Sequence, residues 1–533
     1  MITTGCFRYT WPVFPKGTAK MKKLPIGIST LSSILNDDCV YVDKTALIHQ
    51  LVNSGTYYFL SRPRRFGKSL LVDTLKELFE GNEPLFQGLA IHPLWDWTKK
   101  HPVIHITFND GVHTDRAQLD TFIVGQLKKN AERLGIKLPE GLISQQFVQL
   151  IEDSVQAYSQ PAVVLIDEYD KPILDQINNP ARAAELRDSL KNLYSVLKGR
   201  DKLLNFVLLT GVSKFSQVSL FSGLNNLNDI TLDARYSALC GYTQRELEHN
   251  FREHLAGADM PRVREWYNGY NWLGESVYNP FDILLFIDKG QQFRSYWFET
   301  ATPSFLLKLL KSGRYYLPEL ERFKVHETQL GSFDVDKMTA EVLLFQTGYL
   351  TIHKTLQMGN QLGFELGYPN IEVKLSLNTH LLSELTPTSS HAAQVGFKIY
   401  QALADGELEA LHHILNAFFA SIPYQWYTNN ALDQYEGYYA SVFYSHMVAC
   451  GAQTIAEDST HFGRIDLTVI VENKVFIFEF KVLNSEQSDG SAMAQIKAKH
   501  YADKYRDGRE LYLVGIEFSK QTRNIVGFEW EKI

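Results

Sequence analysis

The chain has 533 residues, 45% of them hydrophobic, and a formal net charge of −7. At roughly 150 residues per domain this length predicts two to four domains, and the composition excludes a disordered or fibrous chain. The negative net charge excludes a protein that is basic throughout, although a local basic surface for nucleic acid stays open.

The cysteines and the apolar runs indicate the compartment. The four cysteines are far apart and form no CxxC pair, which favours reduced thiols over a zinc site or a disulfide framework. No apolar run approaches the roughly 20 residues of a membrane-spanning helix, and the first 20 residues lack the apolar segment of a signal peptide. The sequence therefore predicts a soluble, cytoplasmic protein with no membrane partner. Because Met21 opens the segment MKKLPIGIST, residues 1–20 are interpreted as an extension outside the folded core.

Short apolar runs rich in β-forming residues recur in the first 240 residues. They cover residues 56–60, 103–108, 162–166 and 206–209. Runs without clean alternation are typical of strands buried on both faces of a parallel sheet. Residues 69–80 and 180–197 lie between them and carry apolar residues at helical spacing. The alternation of strands and helices predicts an α/β fold with a parallel sheet.

The rest of the chain divides into three predicted stretches. Residues 241–385 are rich in aromatic residues and helical patterns, which predicts a mostly helical middle region. Residues 386–400 begin with the small, polar sequence TPTSS and are the predicted linker. Residues 401–533 contain helical patterns followed by strands near 467–471, 475–480 and 510–516, which predicts a second α/β domain.

The segment SRPRRFGKSLLVDTL, residues 61–75, has the features of a phosphate-binding loop between a strand and a helix. Gly67 allows close approach of the backbone to phosphate, Lys68 supplies positive charge, and the Ser69 hydroxyl can bind magnesium. The amino terminus of the following helix adds unpaired N–H groups and a favourable dipole. The segment therefore predicts an ATP and Mg²⁺ site.

The loop departs from the motif G-x-x-x-x-G-K-[ST] at its first position, which is Arg62. Arg62, Arg64 and Arg65 could hold the triphosphate or contact a neighbouring element, and they could equally be solvated loop charges. The predicted cofactor-binding residues of the loop are Arg62, Arg64, Arg65, Phe66, Gly67, Lys68 and Ser69.

A second motif strengthens the prediction of an ATP site. The apolar run AVVLI ends at Asp167 and Glu168, and a carboxylate at the end of a buried strand beside a P-loop commonly holds magnesium. Asp167 is predicted to hold the metal and Glu168 to orient or deprotonate the attacking water, while Asp170 could support them. The alternative is an acidic surface turn.

The run FVLLTGVSKF predicts a third strand of this site. P-loop ATPases of the additional-strand type carry a polar sensor residue at the end of such a strand, and Thr210 or Ser213 could serve. Both are therefore included among the predicted cofactor-binding residues. Lys214 could sense charge, although the sequence favours a surface lysine.

A separate constellation lies near the C-terminus. Asp466 precedes Glu479 and Lys481, and residues two apart on a strand point to the same face. Two carboxylates and an ammonium group around one point suit metal-assisted hydrolysis of a phosphodiester. We predict Asp466, Glu479 and Lys481 as catalytic residues, with Asp466, Glu479 and the upstream Glu436 as metal ligands. Ordinary strand carboxylates and lysines remain the alternative, because this short pattern occurs by chance.

A basic segment follows this constellation and could track a nucleic-acid backbone. Its charged residues are Lys497, Lys499, Lys504, Arg506 and Arg509. Solvated helical lysines and arginines are the alternative interpretation.

Longer segments resemble a known family. YVDKTALI, YYFLSRPRRFGKSLLVDTLKELFEG, VVLIDEYDKPI, LLTGVSKFSQVSLFSGLNNLNDITLD and WYNGYNW resemble the bacterial AAA-ATPase-like proteins. The segments YEGYYASVFYSHMVACG, GRIDLTVI and FIFEFK resemble the PD-(D/E)XK nuclease-superfamily domain that commonly accompanies that ATPase. The resemblance covers nearly everything from Met21 onward.

This resemblance implies a domain order and roles for individual residues. It implies an additional-strand P-loop ATPase core over 21–240, a lid or middle region over 241–385 and a nuclease-like domain over 401–533. RPRRFGKS is the family's usual loop, so Arg62 is expected there. Lys68, Ser69, Asp167 and Glu168 carry over, and so do Asp466, Glu479 and Lys481, with Gln495 matching a glutamine of related nucleases.

The resemblance leaves the substrate open. We expect an ATPase whose nucleotide state controls a Mg²⁺-dependent nuclease, with DNA favoured over RNA. A nucleotide-switched module that binds nucleic acid without cutting it and an assembly scaffold stabilised by ATP are the alternatives. A homo-oligomer also stays open, with Arg235 and Arg245 as candidate arginine fingers.

Overall fold

The computed structural model describes residues 21–214, 220, 226–297, 306, 310, 316–331, 339–385, 389–421 and 436–533. The side chains of residues 358, 384, 385, 389–393 and 436 are not described. Within these ranges, no helix has both the length and the apolar character needed to cross a membrane.

A parallel sheet forms the centre of the N-terminal part. Its strands are β1 (Tyr57–Ser61), β2 (Val103–Thr107), β3 (Ala162–Asp167), β4 (Leu204–Gly211) and β5 (Asn228–Asp229). The five strands of this sheet in the described part of the chain are all parallel and lie in the order β2-β3-β4-β1-β5. β4 is thus the additional strand between the loop-bearing strand β1 and the acidic strand β3, which confirms the predicted fold. The carboxyl ends of β1, β3 and β4 therefore meet at one edge of the sheet.

Helices flank this sheet. They are α1 (Leu31–Asn36), α2 (Thr45–Val52), α3 (Lys68–Phe79), α4 (Arg116–Leu134), α5 (Ile143–Tyr158), α6 (Lys171–Leu174) and α7 (Pro180–Ser195). The apolar side of α3, from Leu71 to Phe79, is buried against the sheet. Because β3 is buried at every position, its apolar run needs cover on both faces, as the sequence indicates.

The middle region contains more β-structure than predicted. Its helices are α8 (Gln244–Asn250), α9 (Met260–Tyr267), α10 (Pro280–Asp288), α11 (Ala340–Thr347) and α12 (Ile371–Leu385). Its strands are β6 (Tyr242–Thr243), β7 (Val277–Tyr278), β8 (Phe323–His326), β9 (Thr351–Met358) and β10 (Gln361–Gly367).

β8, β10 and β9 form an antiparallel sheet, three-stranded in the described part of the chain. The expectation of a mostly helical region overlooked the turn Gly359-Asn360, which joins β9 to β10 as a two-residue hairpin loop.

The stretch predicted as a linker differs in structure. Residues 386–388 lie outside the described residues, and a helix, α13 (Ser389–Asp405), begins directly after them. Val395, Ile399 and Leu403 recur at helical spacing and pack against the core. The stretch predicted as a linker is therefore helical from Ser389 onward, because this apolar face outweighs the small polar residues before it.

The C-terminal part is built on a second sheet. Its strands are β11 (Gln453–Ser459), β12 (Arg464–Val471), β13 (Lys474–Leu483), β14 (Glu510–Ser519) and β15 (Ile525–Lys532), and its helices are α14 (Leu408–Ala420), α15 (Glu436–Ala449) and α16 (Ser491–Ala498). The strands lie side by side in the order in which they occur along the chain. Among the described pairs, β13 and β14 are parallel and the others are antiparallel.

The helix α16 crosses over between those parallel strands. It approaches β14 so closely that a Cβ at Gly515 would lie 2.6 Å from the backbone nitrogen of Met493. The absence of a side chain at Gly515 therefore allows α16 to pack closely on the sheet.

Candidate active sites

The loop 61–69 has the geometry of a phosphate-binding turn. Gly67 has φ 93°, a left-handed conformation that favours glycine, and it caps the amino terminus of α3. The Lys68 ammonium is buried within the loop and donates to the carbonyls of Arg62 at 3.0 Å and Pro63 at 3.1 Å. The unpaired N–H groups of α3 and the Lys68 charge therefore lie at one place, as an anionic phosphate requires.

The Phe66 side chain anchors the loop. It is buried edge-on against Tyr270, with ring centroids 4.8 Å apart, and against Trp272 at 5.4 Å. Its carbonyl accepts the N–H of Gly241 at 3.1 Å. Phe66 thus serves the predicted site by fixing the loop to the middle region.

The three loop arginines have different environments. Arg62 is fully buried, and its guanidinium donates to the carbonyls of Ser61 at 2.8 Å, Thr231 at 2.9 Å and Tyr236 at 3.2 Å. This guanidinium also lies 4.2 Å from the centroid of the Trp272 ring. Burial lowers the pKa of Arg62 to about 10, so it stays charged at neutral pH.

The guanidinium of Arg62 therefore stabilises the loop from within the core. Its hydrogen bonds are made to backbone carbonyls, away from the cavity beside the loop. By contrast, Arg64 and Arg65 are exposed and line the cavity beside the loop. Arg65 has φ 70° and lies over the Phe281 ring at 4.8 Å.

Replacing Arg62 with alanine is expected to destabilise the protein by at least about 3 kcal/mol, because three buried carbonyls would lose a charged donor. Urea denaturation should reveal this loss. Arg64→Ala is the matched control, expected to keep the stability and to weaken ATP binding. A stable Arg62→Ala protein with weakened ATP binding would instead assign Arg62 to the phosphates.

The Asp167 carboxylate accepts hydrogen bonds from three polar side chains at the edge of the sheet. Its Oδ2 accepts the Ser69 hydroxyl at 2.7 Å, and its Oδ1 accepts the Thr210 hydroxyl at 2.6 Å. The Asn109 amide donates to Oδ2 at 3.2 Å. The structure thus brings together Ser69, Asp167 and Thr210 from three sequence segments, as the sequence motifs predict.

Glu168 follows directly and lines the same cavity. Its φ of 54° turns the chain sharply at the end of β3. Burial raises the pKa of the Glu168 carboxyl, which is opposed by the Lys68 charge and reinforced by Asp167. A raised pKa suits a residue that accepts a proton near neutral pH.

Ser213 has a different place from the one predicted. Its hydroxyl and backbone N–H donate to Asp170 at 2.7 and 2.8 Å, and Asp170 is fully buried. Burial raises the pKa of Asp170 despite these hydrogen bonds. Ser213 therefore holds the turn after β3, because β4 ends at Gly211 and the chain then bends toward Asp170. Lys214 is also buried, in an ion pair with Asp229 at 2.7 Å.

The C-terminal constellation converges on adjacent strands. Asp466 on β12 lies across from Glu479 on β13, one residue beyond the pair Leu467 and Phe478, and its Oδ2 accepts the N–H of Phe480 at 2.8 Å. The Lys481 ammonium is 3.4 Å from the Glu479 Oε1. The predicted catalytic triple thus lies on one side of this hairpin.

Glu479 is the most unusual charge of this site. It is fully buried, and its Oε1 accepts the amide of Gln495 on α16. Its Oε2 has no hydrogen-bond partner among the described residues. Burial, followed by repulsion from Asp466, raises the pKa of Glu479 to about 7 even though Lys481 lowers it. A buried carboxylate oxygen without a partner, beside a second carboxylate, fits a cation ligand.

The third predicted metal ligand, Glu436, begins α15, and its side chain lies outside the description. Among the described residues, no group of three or more histidine, cysteine or acidic side chains is arranged to hold a metal ion.

The basic segment is largely neutralised. Four of its five cations have carboxylate partners, in the pairs Lys497–Glu531, Lys504–Asp458, Arg506–Asp503 and Arg509–Asp507. Lys499 is exposed. A continuous track of free cations along this segment is therefore absent within the described part.

Comparison with known proteins identifies two domains in this chain. A family model described as "Predicted AAA-ATPase" matches residues 25–221. A second, described as "PD-(D/E)XK nuclease superfamily", matches residues 434–528. The chain belongs to the AAA-ATPase-like family. Its C-terminal domain belongs to the PD-(D/E)XK nuclease superfamily.

The chain is also similar to a bacterial protein along almost its whole length. It is 50% identical over 514 residues to the "Uncharacterized protein in vnfD 5'region" of Azotobacter chroococcum mcd 1. The match covers 96% of this chain and 99% of that protein. The likeness therefore extends over both segments that the two family models match in this chain.

The cavity beside the loop of this AAA-ATPase-like chain includes walls that the sequence motifs did not indicate. The cavity measures about 580 Å³, and besides the loop it is lined by residues near 25–29, 40–44, 239–242 and 280–284. Asn109 also lines it and contacts Asp167. Asn109 could have been found from the sequence, because it is a polar residue just after β2, a strand that ends beside the acidic strand β3.

The two candidate arginine fingers differ in their surroundings. Arg235 forms an ion pair with Asp233 at 2.6 Å, whereas Arg245 is exposed. Both side chains are exposed, and the charge of Arg235 is shared with Asp233.

Proposed function

We propose that the chain binds and hydrolyses ATP at the cavity beside Gly67 and that the nucleotide controls a nuclease acting on DNA. The observation that carries the ATPase proposal is the meeting of Ser69, Asp167 and Thr210 beside the Lys68 loop. The cavity of about 580 Å³ lies within the range of small-molecule sites.

Each residue of the ATP site has a proposed task. Lys68 and the N–H groups of α3 would bind the β- and γ-phosphates, with Arg64 and Arg65 beside them. Glu168 would orient the attacking water and accept its proton. Ser69 and Asp167 fit a magnesium ion, because a hydroxyl and a carboxylate oxygen 2.7 Å apart are hard ligands on one side of the loop. A bound Mg²⁺ would neutralise charge on the phosphates.

The nuclease proposal rests on the unpartnered Oε2 of Glu479. Asp466 and Glu479 would hold a divalent cation, which would polarise the scissile phosphodiester. Lys481 is 30% exposed and would orient the attacking water and steady the developing negative charge. Gln495 fixes the Glu479 carboxylate through its amide.

A chain of contacts supports coupling of the two sites. The Trp297 indole donates to the carbonyl of Arg64 at 3.3 Å, and the N–H groups of Tyr296 and Trp297 donate to Glu372 on α12 at 2.6 and 2.9 Å. Two residues further on, the Lys374 ammonium forms an ion pair with Glu321 at 2.6 Å and donates to the carbonyl of Thr454 on β11. One end of α12 thus contacts Trp297, which bonds to the phosphate-binding loop, and β11, which pairs with the strand β12 that carries Asp466.

Trp297→Phe is expected to reduce the effect of ATP on DNA cleavage, because it removes the indole donor and keeps a buried ring. Coupling between two sites is typically about 5- to 150-fold, and we expect it to shrink several-fold while ATP turnover stays within about twofold. Cleavage with and without ATP measures this.

Trp97→Phe is the matched control, since its indole also donates to a backbone carbonyl, that of His92 at 2.9 Å. If Trp297→Phe leaves the ATP effect unchanged, coupling does not pass through this contact.

The proposed function is tested by incubating the purified full chain with DNA, Mg²⁺ or Mn²⁺, and ATP. ATP hydrolysis together with metal-dependent cleavage supports the proposal. ATP-dependent, salt-sensitive binding without cleavage under any metal would favour the switched binding module instead.

A further inference from the structure

The tip of the β11–β12 hairpin carries an exposed aromatic ring four residues before Asp466. Phe462 is 57% exposed, and its ring lies 5.7 Å from that of His500. A single exposed apolar residue is ordinary at a protein surface, so the neighbours of Phe462 decide whether another molecule covers its ring.

The tip is held in place rather than trailing from the sheet. The Thr460 N–H and hydroxyl both donate to the carbonyl of Gly463, at 2.8 and 2.9 Å. The Tyr501 hydroxyl donates to the carbonyl of Arg464 at 2.6 Å, which ties the tip to the segment after α16. His500 adopts φ 48° in that segment and faces Phe462.

The ring has positively charged neighbours. Lys499 is exposed, and its Cδ would lie 3.8 Å from a Cβ at Gly463. The Arg464 side chain is 67% exposed and shares its charge with Glu457 at 2.6 Å. An aromatic face bordered by cations fits a nucleic-acid strand, in which bases stack on the ring and phosphates meet the cations.

We propose that Phe462 is a stacking platform for an unpaired nucleobase next to the cleavage site, so that the preferred substrate is a single strand or a locally opened duplex. This rests on the proposed nuclease function. Bases inside an intact duplex cannot offer a face to the ring, because both of their faces are stacked on neighbours.

The distance along the chain sets the position of that base. Phe462 precedes Asp466 by four residues, which spans no more than about 13 Å of extended chain. At about 3.4 Å per nucleotide along a stacked strand, this backbone separation corresponds to about four nucleotides, so we expect the base that contacts Phe462 to lie only a few nucleotides from the cut phosphodiester.

The test measures binding of fluorescent single-stranded DNA to the full chain carrying Glu479→Gln, which prevents cleavage. Phe462→Ala is expected to weaken binding by roughly 5- to 150-fold, the range for loss of one base–aromatic stack. Phe462→Tyr should bind as the parent does. Phe397→Ala is the matched control, because Phe397 on α13 is also exposed, at 71%, and should have no effect.

A series of strands with one abasic nucleotide makes the test specific. An abasic nucleotide within about four positions of the cut should weaken binding to the parent and leave binding to Phe462→Ala unchanged. Equal abasic losses in both proteins, or equal binding by both to an intact strand, would overturn the platform.

The outcomes separate this inference from the proposed nuclease. If the wild-type chain cuts DNA and Phe462→Ala binds as tightly as the parent, only the platform is wrong. If Phe462→Ala weakens binding to a fully paired duplex as much as to a single strand, selection of unpaired bases is wrong. If the wild-type chain neither binds nor cuts nucleic acid, the nuclease proposal and the platform both fail.

Discussion

Glu168→Gln is expected to lower ATP turnover by about 100- to 10,000-fold, the usual contribution of a positioned general base. The carboxylate lies in the cavity directly after Asp167, and burial raises its pKa toward the range in which it can accept a proton. Glutamine keeps the size of the side chain and removes the basic oxygen. ATP affinity should therefore be retained while hydrolysis is lost, which equilibrium binding and single-turnover hydrolysis can separate.

Two further variants complete this experiment. Glu140→Gln changes an exposed glutamate of the same domain and should leave turnover unchanged. Lys68→Ala should abolish binding, because it removes the buried ammonium from the loop. Normal turnover by Glu168→Gln would transfer the water-activating role to another residue that lines the cavity.

The parts of this site that follow from sequence are local. The loop 61–69 and the pair Asp167 and Glu168 could be predicted, because a glycine turn, a helix start and a buried strand end are each properties of a few consecutive residues. The hairpin of Asp466, Glu479 and Lys481 could be predicted for a similar reason, since the two-residue period of a strand determines the face of each side chain.

The parts that could not be predicted depend on contacts between distant segments. The role of Arg62 depends on Thr231 and Tyr236, about 170 residues away. Their carbonyls accept hydrogen bonds from its guanidinium, which keeps this loop charge in the core. The cavity walls near 25–29 and 280–284 meet only in the folded chain. Ser213 carried the polar signal expected of a sensor, and only the bend after β4 assigns it to Asp170.

Glu479→Gln is expected to abolish cleavage and to stabilise the metal-free protein. Removing a partner of a metal ligand typically costs 10- to 100-fold in activity or metal affinity, so loss of the ligand itself should cost at least about 100-fold in cleavage. Glu510→Gln on the adjacent strand β14 is the control, because Glu510 pairs at the surface with Lys532 at 2.6 Å and should tolerate the change.

The stability gain should depend on pH. The folded protein holds the Glu479 proton up to a pKa of about 7, whereas the unfolded chain releases it near the ordinary value of 4.5. The Glu479 carboxyl therefore lowers the stability of the wild-type protein as the pH rises from 4.5 to about 7, by up to about 3 kcal/mol. Glutamine has no proton to lose, so the variant should melt at a higher temperature than wild type at pH 8 in the presence of a chelator and at nearly the same temperature at pH 4.5.

The ionised Glu479 carboxylate would then destabilise the metal-free protein, and metal binding would explain why a glutamate lies at this position. A buried carboxylate with an unpartnered oxygen beside Asp466 is unfavourable for folding, and a divalent cation would relieve both the burial and the repulsion. Without ATP, Mg²⁺ or Mn²⁺ should consequently raise the melting temperature of the wild-type protein at pH 8 by more than that of Glu479→Gln, which keeps only the proposed metal site at Ser69 and Asp167. If wild type and variant respond alike to the metal, or melt alike at pH 8 without it, Glu479 is a structural residue and the cleavage site lies elsewhere.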